Sequence, residues 1–419
     1  MRREIFIVDG YRTPFCKFGT KLANEPVVNL GVSPSKHLIN KTGVDPGHID
    51  HVVFGCCNQP PTAIGNVART IGVRSGVPEE VPAVTVHRNC ASGFEAISYA
   101  CDKACADQGD VFLVGGVENM SQAPFLFSRD AVKKFTALAK SRTLASKLRN
   151  IANFRPGDFS PEVSLKLAMV DPLCDLGMGQ TAEVLAREHG ISRDDQDRYS
   201  EQSHAKALKG NFTSEISPIH LTKDDCIRSF NGSMVSEDIG PRDDAHADKL
   251  GRLRTVFDRQ GTVTAGNSSQ VTDGGAALLI MTKNGLAKTG CTPIARIIDY
   301  EYAGCDPSRM GLGPVPAMAR LCHKIDRRVE EADVIEINEA FAAQVLAVLK
   351  HSRKVFQEIP RDRLNLNGGA IALGHPLAAT GTRLAITLAK KLKENNLKHG
   401  LASLCVGGGQ GGALWIESI

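Results

Sequence analysis

Cysteine is the first residue type in this 419-residue chain that could carry chemistry. In "VTVHRNCASGFEAISYACDKACA", Val84 to Ala106, a β-branched run breaks into His-Arg-Asn and places Cys90 at the break. It then resumes at helical spacing through Phe94, Ile97, Cys101 and Ala104. Taken alone, Cys90 reads as a buried structural cysteine, a common fate of that residue type. A nucleophile needs the thiolate, which a helix start and a neighbouring imidazole both favour. His375, in "GGAIALGHPLAATGTRLAITLAKKL", is the candidate imidazole. The glycine before it permits close backbone approach, and the proline after it suits a first helical turn.

Two further segments could complete such a site. Cys405, in "SLCVGGGQGGALWIESI", precedes glycines whose N–H groups can bind an oxyanion. The string "GGGQGG" also fits a dinucleotide fingerprint, but that motif requires a helix after it and an acidic residue about 20 positions on. Asn338, in "INEAFAAQ", cannot titrate near neutrality, so it would orient a water or donate a hydrogen bond. Its structural reading is a helix N-cap.

The elements that must position these groups alternate. "EIFIVDG", "HVVFG", "VTVH" and "DVFLVGG" read as strands in the first third, and "IARIIDY", "DVIEIN", "LNLNGG" and "LASLCVGGG" in the last, with helical patterns between them. The two sets correspond in order, so one α/β unit is used twice. In that correspondence Cys90 and His375 each follow a third strand and begin a helix, and a pseudo-twofold axis would bring the two helix starts together. The expected halves are residues 1–127, completed by 254–284, and 285–419, around a loop or lid domain at 128–253. Inside the lid, Ala131 to Arg155 carries seven Lys or Arg and no Asp or Glu. On one continuous helix Lys133, Lys140 and Lys147 would share a face. That face is either solvated surface or a contact for an anionic membrane, a partner subunit or ligand phosphates.

Composition narrows the classes. A content of 42% hydrophobic and 23% charged residues with a net charge of +4 describes a globular chain and does not suggest nucleic acid. Twelve cysteines without regular spacing or a secretory leader fit a reducing compartment better than a disulfide framework. Neither Cys56-Cys57 nor Cys101-Cys105 has zinc-ligand spacing, so no metal is expected. The start of the chain, almost on its first strand, leaves no room for a transit peptide, and a cytoplasmic protein of bacterial type is expected.

Across nearly its whole length the sequence resembles the thiolases, through "NCASGFEAI", "GGVENMSQAP", "MGQTAE", "GTVTAGNSSQVTDGGAAL", "GPVPA", "NEAFA", "GGAIALGHP" and "CVGGGQGGA". The resemblance implies a duplicated thiolase fold: two similar mixed-sheet halves in an α-β-α-β-α layering, with an inserted loop domain. It implies that Cys90 is acylated by a 3-ketoacyl-CoA, that His375 activates its sulfur, and that Cys405 protonates the departing acetyl-CoA enolate. Coenzyme A would be a substrate, with no permanently bound cofactor. The enolate oxygen would lie between His375 and a water held by Asn338, and the thioester oxyanion would face the N–H groups of Cys90 and Gly407. By the same comparison Ser269 and Met178 line the pantetheine path, and Arg242 meets the nucleotide phosphates.

Two departures stand out. Gly177 replaces the histidine that short-chain members carry before the lid's "MG", and Ala378 replaces a frequent glycine. With the basic insert, these look closest to the thiolase β-subunits of fatty-acid β-oxidation complexes, which often have histidine in place of Asn338. A short-chain acetyl-CoA acetyltransferase working in the synthetic direction is one alternative and a ketoacyl synthase-like condensing enzyme another. The latter needs no acid-base cysteine in its last loop, and a silent acyl-CoA-binding protein needs none of the four groups. A homodimer or homotetramer is expected, with a hydratase/dehydrogenase α-subunit or peripheral membrane contact through 131–155.

Overall fold

The computed structural model describes residues 3–61, 65–221 and 234–419. In chain order, the first half comprises β1 (Ile5–Arg12), α1 (Val27–Thr42), β2 (His51–Gly55), α2 (Val67–Arg74), β3 (Ala83–Val86), α3 (Ser92–Cys105) and β4 (Val111–Glu118). An intervening region holds α4 (Arg129–Ala139), α5 (Leu144–Ala152), α6 (Met178–Glu188) and α7 (Arg193–Lys209). Next come β5 (Thr272–Thr282), β6 (Ala295–Gly304), α8 (Pro314–Ile325), β7 (Val334–Ile337), α9 (Ala342–Val355), α10 (Leu377–Glu394), β8 (His399–Val406) and β9 (Gln410–Ser418).

The duplication is visible in the pairing. One half runs β1-β5-β4-β2-β3 and the other β6-β9-β8-β7, and antiparallel pairing of β1 with β6 joins them into one hydrogen-bonded sheet. The correspondence reaches single residues. β1 shifts register against β5 between Ile7 and Asp9, and β6 shifts against β9 between Ile297 and Asp299. In each bulge the aspartate accepts from the next backbone N–H, Gly10 at 2.8 Å and Tyr300 at 2.9 Å.

"LNLNGG" is not a strand, and only Leu364 bridges to Ile335. Asn365, at φ 47°, takes the place of strand backbone. Its side-chain amide accepts from Ile337 N at 2.9 Å and donates to Ile337 O at 2.9 Å, satisfying the edge of β7 with one residue. After the glycine loop the chain forms β9, so the dinucleotide fingerprint has no helix to follow it.

Helices α3 and α10 lie between the two half-sheets, α1 and α2 cover the outer face of the first, and α8 and α9 sit outside the second. Three buried clusters fill the spaces between these layers. The two central helices cross at Gly93 and Gly381. A Cβ at Gly93 would lie 2.5 Å from Thr382 N, and one at Gly381 would lie 2.5 Å from Phe94 N. Only glycine permits this approach, and it brings the starts of α3 and α10 together.

The basic insert departs from the single-helix expectation. Ser128 caps α4, Thr143 caps α5, and the chain turns between them. Lys133 lies in α4, Lys140 is its C-cap and Lys147 lies in α5, so the three share no helix face. Phe135 anchors the hairpin against Phe127, Phe154 and Phe159, at ring-centroid distances of 5.4, 4.9 and 6.0 Å. No described helix is long and apolar enough to cross a membrane.

Candidate active site

Cys90, His375, Asn338, Cys405 and Gly407 sit at or just beyond the carboxyl end of a strand or at a central helix start. This is where open α/β sheets place ligands. Cys90 and His375 stand two residues before α3 and α10, so the duplication sets the candidate nucleophile and the imidazole at equivalent positions. Asn338 directly follows β7, and Cys405 is the penultimate residue of β8. Cys90, His375 and Cys405 open onto one cleft of about 990 Å³, as do Gly407, Ser269, Met178 and Arg242. Asn338 is wholly buried behind His375.

His375 is held from both sides. Its backbone N–H donates to Gln270 O and Thr272 Oγ1, each at 3.2 Å. Gly374 adopts φ 102°, and a Cβ there would lie 2.2 Å from Thr272 Oγ1, so the turn requires glycine. Thr380 Oγ1 lies 2.6 Å from Nδ1 and spends its own proton on Pro376 O at 3.1 Å. With that hydroxyl donating to Pro376 O, Nδ1 carries the imidazole hydrogen and the Nε2 lone pair faces Asn338 Nδ2 at 3.5 Å. Burial, and then the Arg383 charge, depress His375 to about 3, so it is a neutral base at working pH.

At Cys90, burial opposes the ionisation that a helix start and an imidazole favour. Burial pushes its thiol up to about 11, against lowering contacts from the N–H groups of Gly407 and of Cys90 itself. A neutral imidazole offers no charge to pair with, so desolvation wins. Both N–H groups do reach the sulfur, where a carbonyl carbon bound to it would place its oxygen. The loop that supplies Gly407 is tied down twice. Asn89 Nδ2 donates to Gly407 O at 2.9 Å, and Gly408 N donates to the buried carboxylate of Asp171 at 2.8 Å. Cys405 is buried and its thiol is raised strongly, first by desolvation and then by the neighbouring Cys90. A thiol raised this far is protonated at neutral pH.

Asn338 is not a helix cap, since Phe341 precedes α9. Its backbone donates to Ser403 O at 2.9 Å, and its Oδ1 is a buried acceptor with no protein partner. Ser269 N donates to Ala340 O at 2.9 Å, Met178 Sδ lies 3.4 Å from where a Cβ on Gly407 would be, and Arg242 N donates to His204 Nδ1 at 3.2 Å. Thr380, Asn89, Asp171, Cys57 and Glu118 were not singled out from sequence. Thr380, Asn89 and Glu118 lie inside the quoted motifs, the first two five residues after His375 and one before Cys90 and the third in "GGVENMSQAP". Asp171 lies far away in sequence, and only the fold brings it to Gly408. Among the described residues no group of three or more His, Cys, Asp or Glu could hold a metal ion.

The family models for the thiolase N-terminal and C-terminal domains match residues 5–284 and 291–418. The chain belongs to the thiolase family. Curated relatives of this thiolase include the mitochondrial 3-ketoacyl-CoA thiolase of Bos taurus, 36% identical over 99% of this chain and 98% of the relative. The β-ketoadipyl-CoA thiolase of Pseudomonas aeruginosa is 38% identical, with all of both chains covered. The crystal structure of human mitochondrial 3-ketoacyl-CoA thiolase in complex with CoA matches this thiolase with a TM-score of 0.87 at 35% identity, covering 100% of this chain and 98% of that one. The thiolase is accordingly an acyltransferase on a duplicated mixed α/β fold.

Proposed function

We propose that the protein cleaves 3-ketoacyl-CoA with coenzyme A, giving acetyl-CoA and a shortened acyl-CoA through an acyl-Cys90 intermediate. The observation that carries this reading is the convergence of Cys90, His375 and Cys405 on one cleft from the two halves. His375 Nε2 takes the Cys90 proton as the sulfur attacks the keto carbon, because no thiolate is stored beforehand. As the bond between C2 and C3 breaks, its electrons pass to the acetyl-CoA enolate, and Cys405 protonates C2. The thiol of free CoA then attacks acyl-Cys90. Its proton returns to Cys405, and His375 gives back the one it took. Run backwards, Cys405 removes the α-proton of acetyl-CoA and the enolate attacks acyl-Cys90. The N–H groups of Cys90 and Gly407 serve the thioester oxyanion, while His375 and a water on Asn338 Oδ1 serve the enolate. Ser269 and Met178 flank the pantetheine arm and Arg242 meets the phosphates.

Met120, Leu126, Leu165, Met169 and Leu173 make one wall of the cleft apolar, which suits acyl chains longer than acetoacetyl. Burial of about 0.8 kcal/mol per methylene raises kcat/KM by up to roughly ten-fold for each added pair of carbons, until the wall is filled. Steady-state thiolysis across a 3-ketoacyl-CoA series tests this. A maximum at acetoacetyl-CoA would reverse the chain-length reading, and no acetyl-CoA from any member would remove the activity.

The basic hairpin is read as a contact for an anionic lipid surface. Lys133, Lys147 and Arg149 on the two helices, with Lys140 and Arg142 at the turn between them, are exposed alongside Val132, Leu144, Leu148 and Ile151. Each basic group near such a surface contributes about 1 kcal/mol. Binding to vesicles containing phosphatidylserine should exceed binding to neutral vesicles, fall with salt and be lost on K133E/K140E/K147E. Equal binding to both vesicle types would remove the lipid reading, and binding to a hydratase/dehydrogenase subunit instead would reassign the hairpin. A homo-oligomer is supported by β3, a half-exposed edge strand rich in β-branched residues that pairs only with β2 among the described residues, so a second copy can pair with its free edge. The described cysteines are all free, in keeping with a reducing, cytoplasmic setting.

A further inference from the structure

Glu118 ends β4 with no exposed surface and no cationic partner among the groups that hold it. Its carboxylate accepts three backbone N–H bonds. Asn58 N at 2.7 Å and Cys57 N at 3.3 Å come from the loop after β2, and Ala378 N at 3.1 Å comes from the first turn of α10. The two loop residues belong to the first half of the molecule, and Ala378 belongs to the helix that His375 precedes. Cys57 in turn carries the contact to the nucleophile. Its Sγ donates to Asn89 O at 3.1 Å and meets Ser92 Oγ at 3.3 Å, on either side of Cys90. A carboxylate is thus seated where the Cys90 loop and the His375 helix join.

We propose that Glu118 is a positioning residue for thiolysis: its carboxylate locks the loop behind Cys90 to the first turn of the His375 helix and sets a negative charge against the nucleophile. Nothing in the chemistry above uses this group, and an apolar side chain would leave three buried N–H donors unmet. The titratable groups facing it are the thiols of Cys56 and Cys57 from the β2 loop and of Cys90 from the α3 loop. Its charge makes all three harder to ionise, while α10 offers it backbone only. Burial raises Glu118 itself to about 7, with its N–H bonds opposing. Its charge therefore develops across neutral pH, and as it does so the Cys90 thiol becomes harder to ionise.

The inference rests on Cys90 being the nucleophile, so its test reads the Cys90 thiol without turnover. The rate of Cys90 alkylation by iodoacetamide is followed against pH by peptide mass spectrometry. Wild-type protein should show a logarithmic slope below one around pH 7 and a slope of one above it. In Glu118→Gln the slope should be one throughout and the thiol should titrate about one pH unit lower. The variant's kcat should fall roughly ten-fold with KM little changed, a loss in the reacting state rather than in binding. Cys57→Ser keeps the backbone N–H and should retain the wild-type shoulder. Superimposable profiles for wild type and Glu118→Gln, or a shoulder lost in Cys57→Ser, would overturn the proposal. Should Glu118→Gln fail to fold, the wild-type shoulder still decides, and its absence counts against Glu118. A shoulder that persists in a protein whose Cys90 is never acylated by substrate would sink the nucleophile assignment instead.

Discussion

Cys90→Ala is expected to end thiolysis, with kcat lowered by roughly 10⁵-fold or more, the scale on which loss of a covalent nucleophile acts. No described neighbour can take over. Cys57 points its thiol at Asn89 O rather than into reaction, and burial together with the Glu118 charge holds it far from ionising. Cys405 lies in the same cleft but is the more strongly raised thiol. The substitution removes one sulfur from a partly exposed position, so the melting temperature should stay within a few degrees of wild type and CoA binding should persist. Single-turnover thiolysis of a 3-ketoacyl-CoA measures the loss. A residual rate within roughly 100-fold of wild type would move the nucleophile elsewhere.

Cys405→Ala should separate the two half-reactions. The α-proton exchange of acetyl-CoA should fall by about 10² to 10⁴-fold, the usual range for a positioned acid or base, while Cys90 remains able to accept an acyl group from acyl-CoA. The reasoning is electrostatic. Cys405 is pushed up by burial and by Cys90, so its thiolate, once formed, is basic enough to take a carbon-bound proton. His375 is the weaker base of the two, because burial depresses its imidazole to about 3. Deuterium wash-in to acetyl-CoA, followed by NMR, reads the first effect, and transacylation from acyl-CoA reads the second. Exchange retained in Cys405→Ala would assign the α-proton to another group.

The repeat and the candidate groups were legible because they rest on local signals: alternating strands, glycine-flanked turns, and cysteine or histidine at strand-to-helix breaks. What was not legible came from distance. The third strand of the second half looked like a strand in "LNLNGG", yet Asn365 pairs with Ile337 through its side chain, and no periodicity distinguishes that from a ladder. Asp171 reaches Gly408 from 237 residues away, and Glu118 reaches Ala378 from 260 away. The hairpin in the basic insert turned on Thr143 and Ser146 capping a second helix, a signal present in "SRTLAS" but masked by the regular spacing of the lysines. The ionisation of Cys90 is not legible in sequence for a further reason. Charge and dipole can be read from sequence, but desolvation depends on what surrounds the sulfur, and here it dominates.

The pH behaviour follows from the same groups. With His375 neutral and Cys90 protonated at rest, alkylation by a neutral reagent should be slow at pH 7, whereas acylation by substrate should be fast, the proton leaving only during attack. The most direct measurement of the central claim is therefore intact and peptide mass spectrometry of enzyme mixed with a 3-ketoacyl-CoA in the absence of free CoA and quenched in acid. The account predicts one adduct with the mass of the shortened acyl group, on the peptide containing Cys90. An adduct on any other residue, or acetyl-CoA released with no adduct at all, would contradict it.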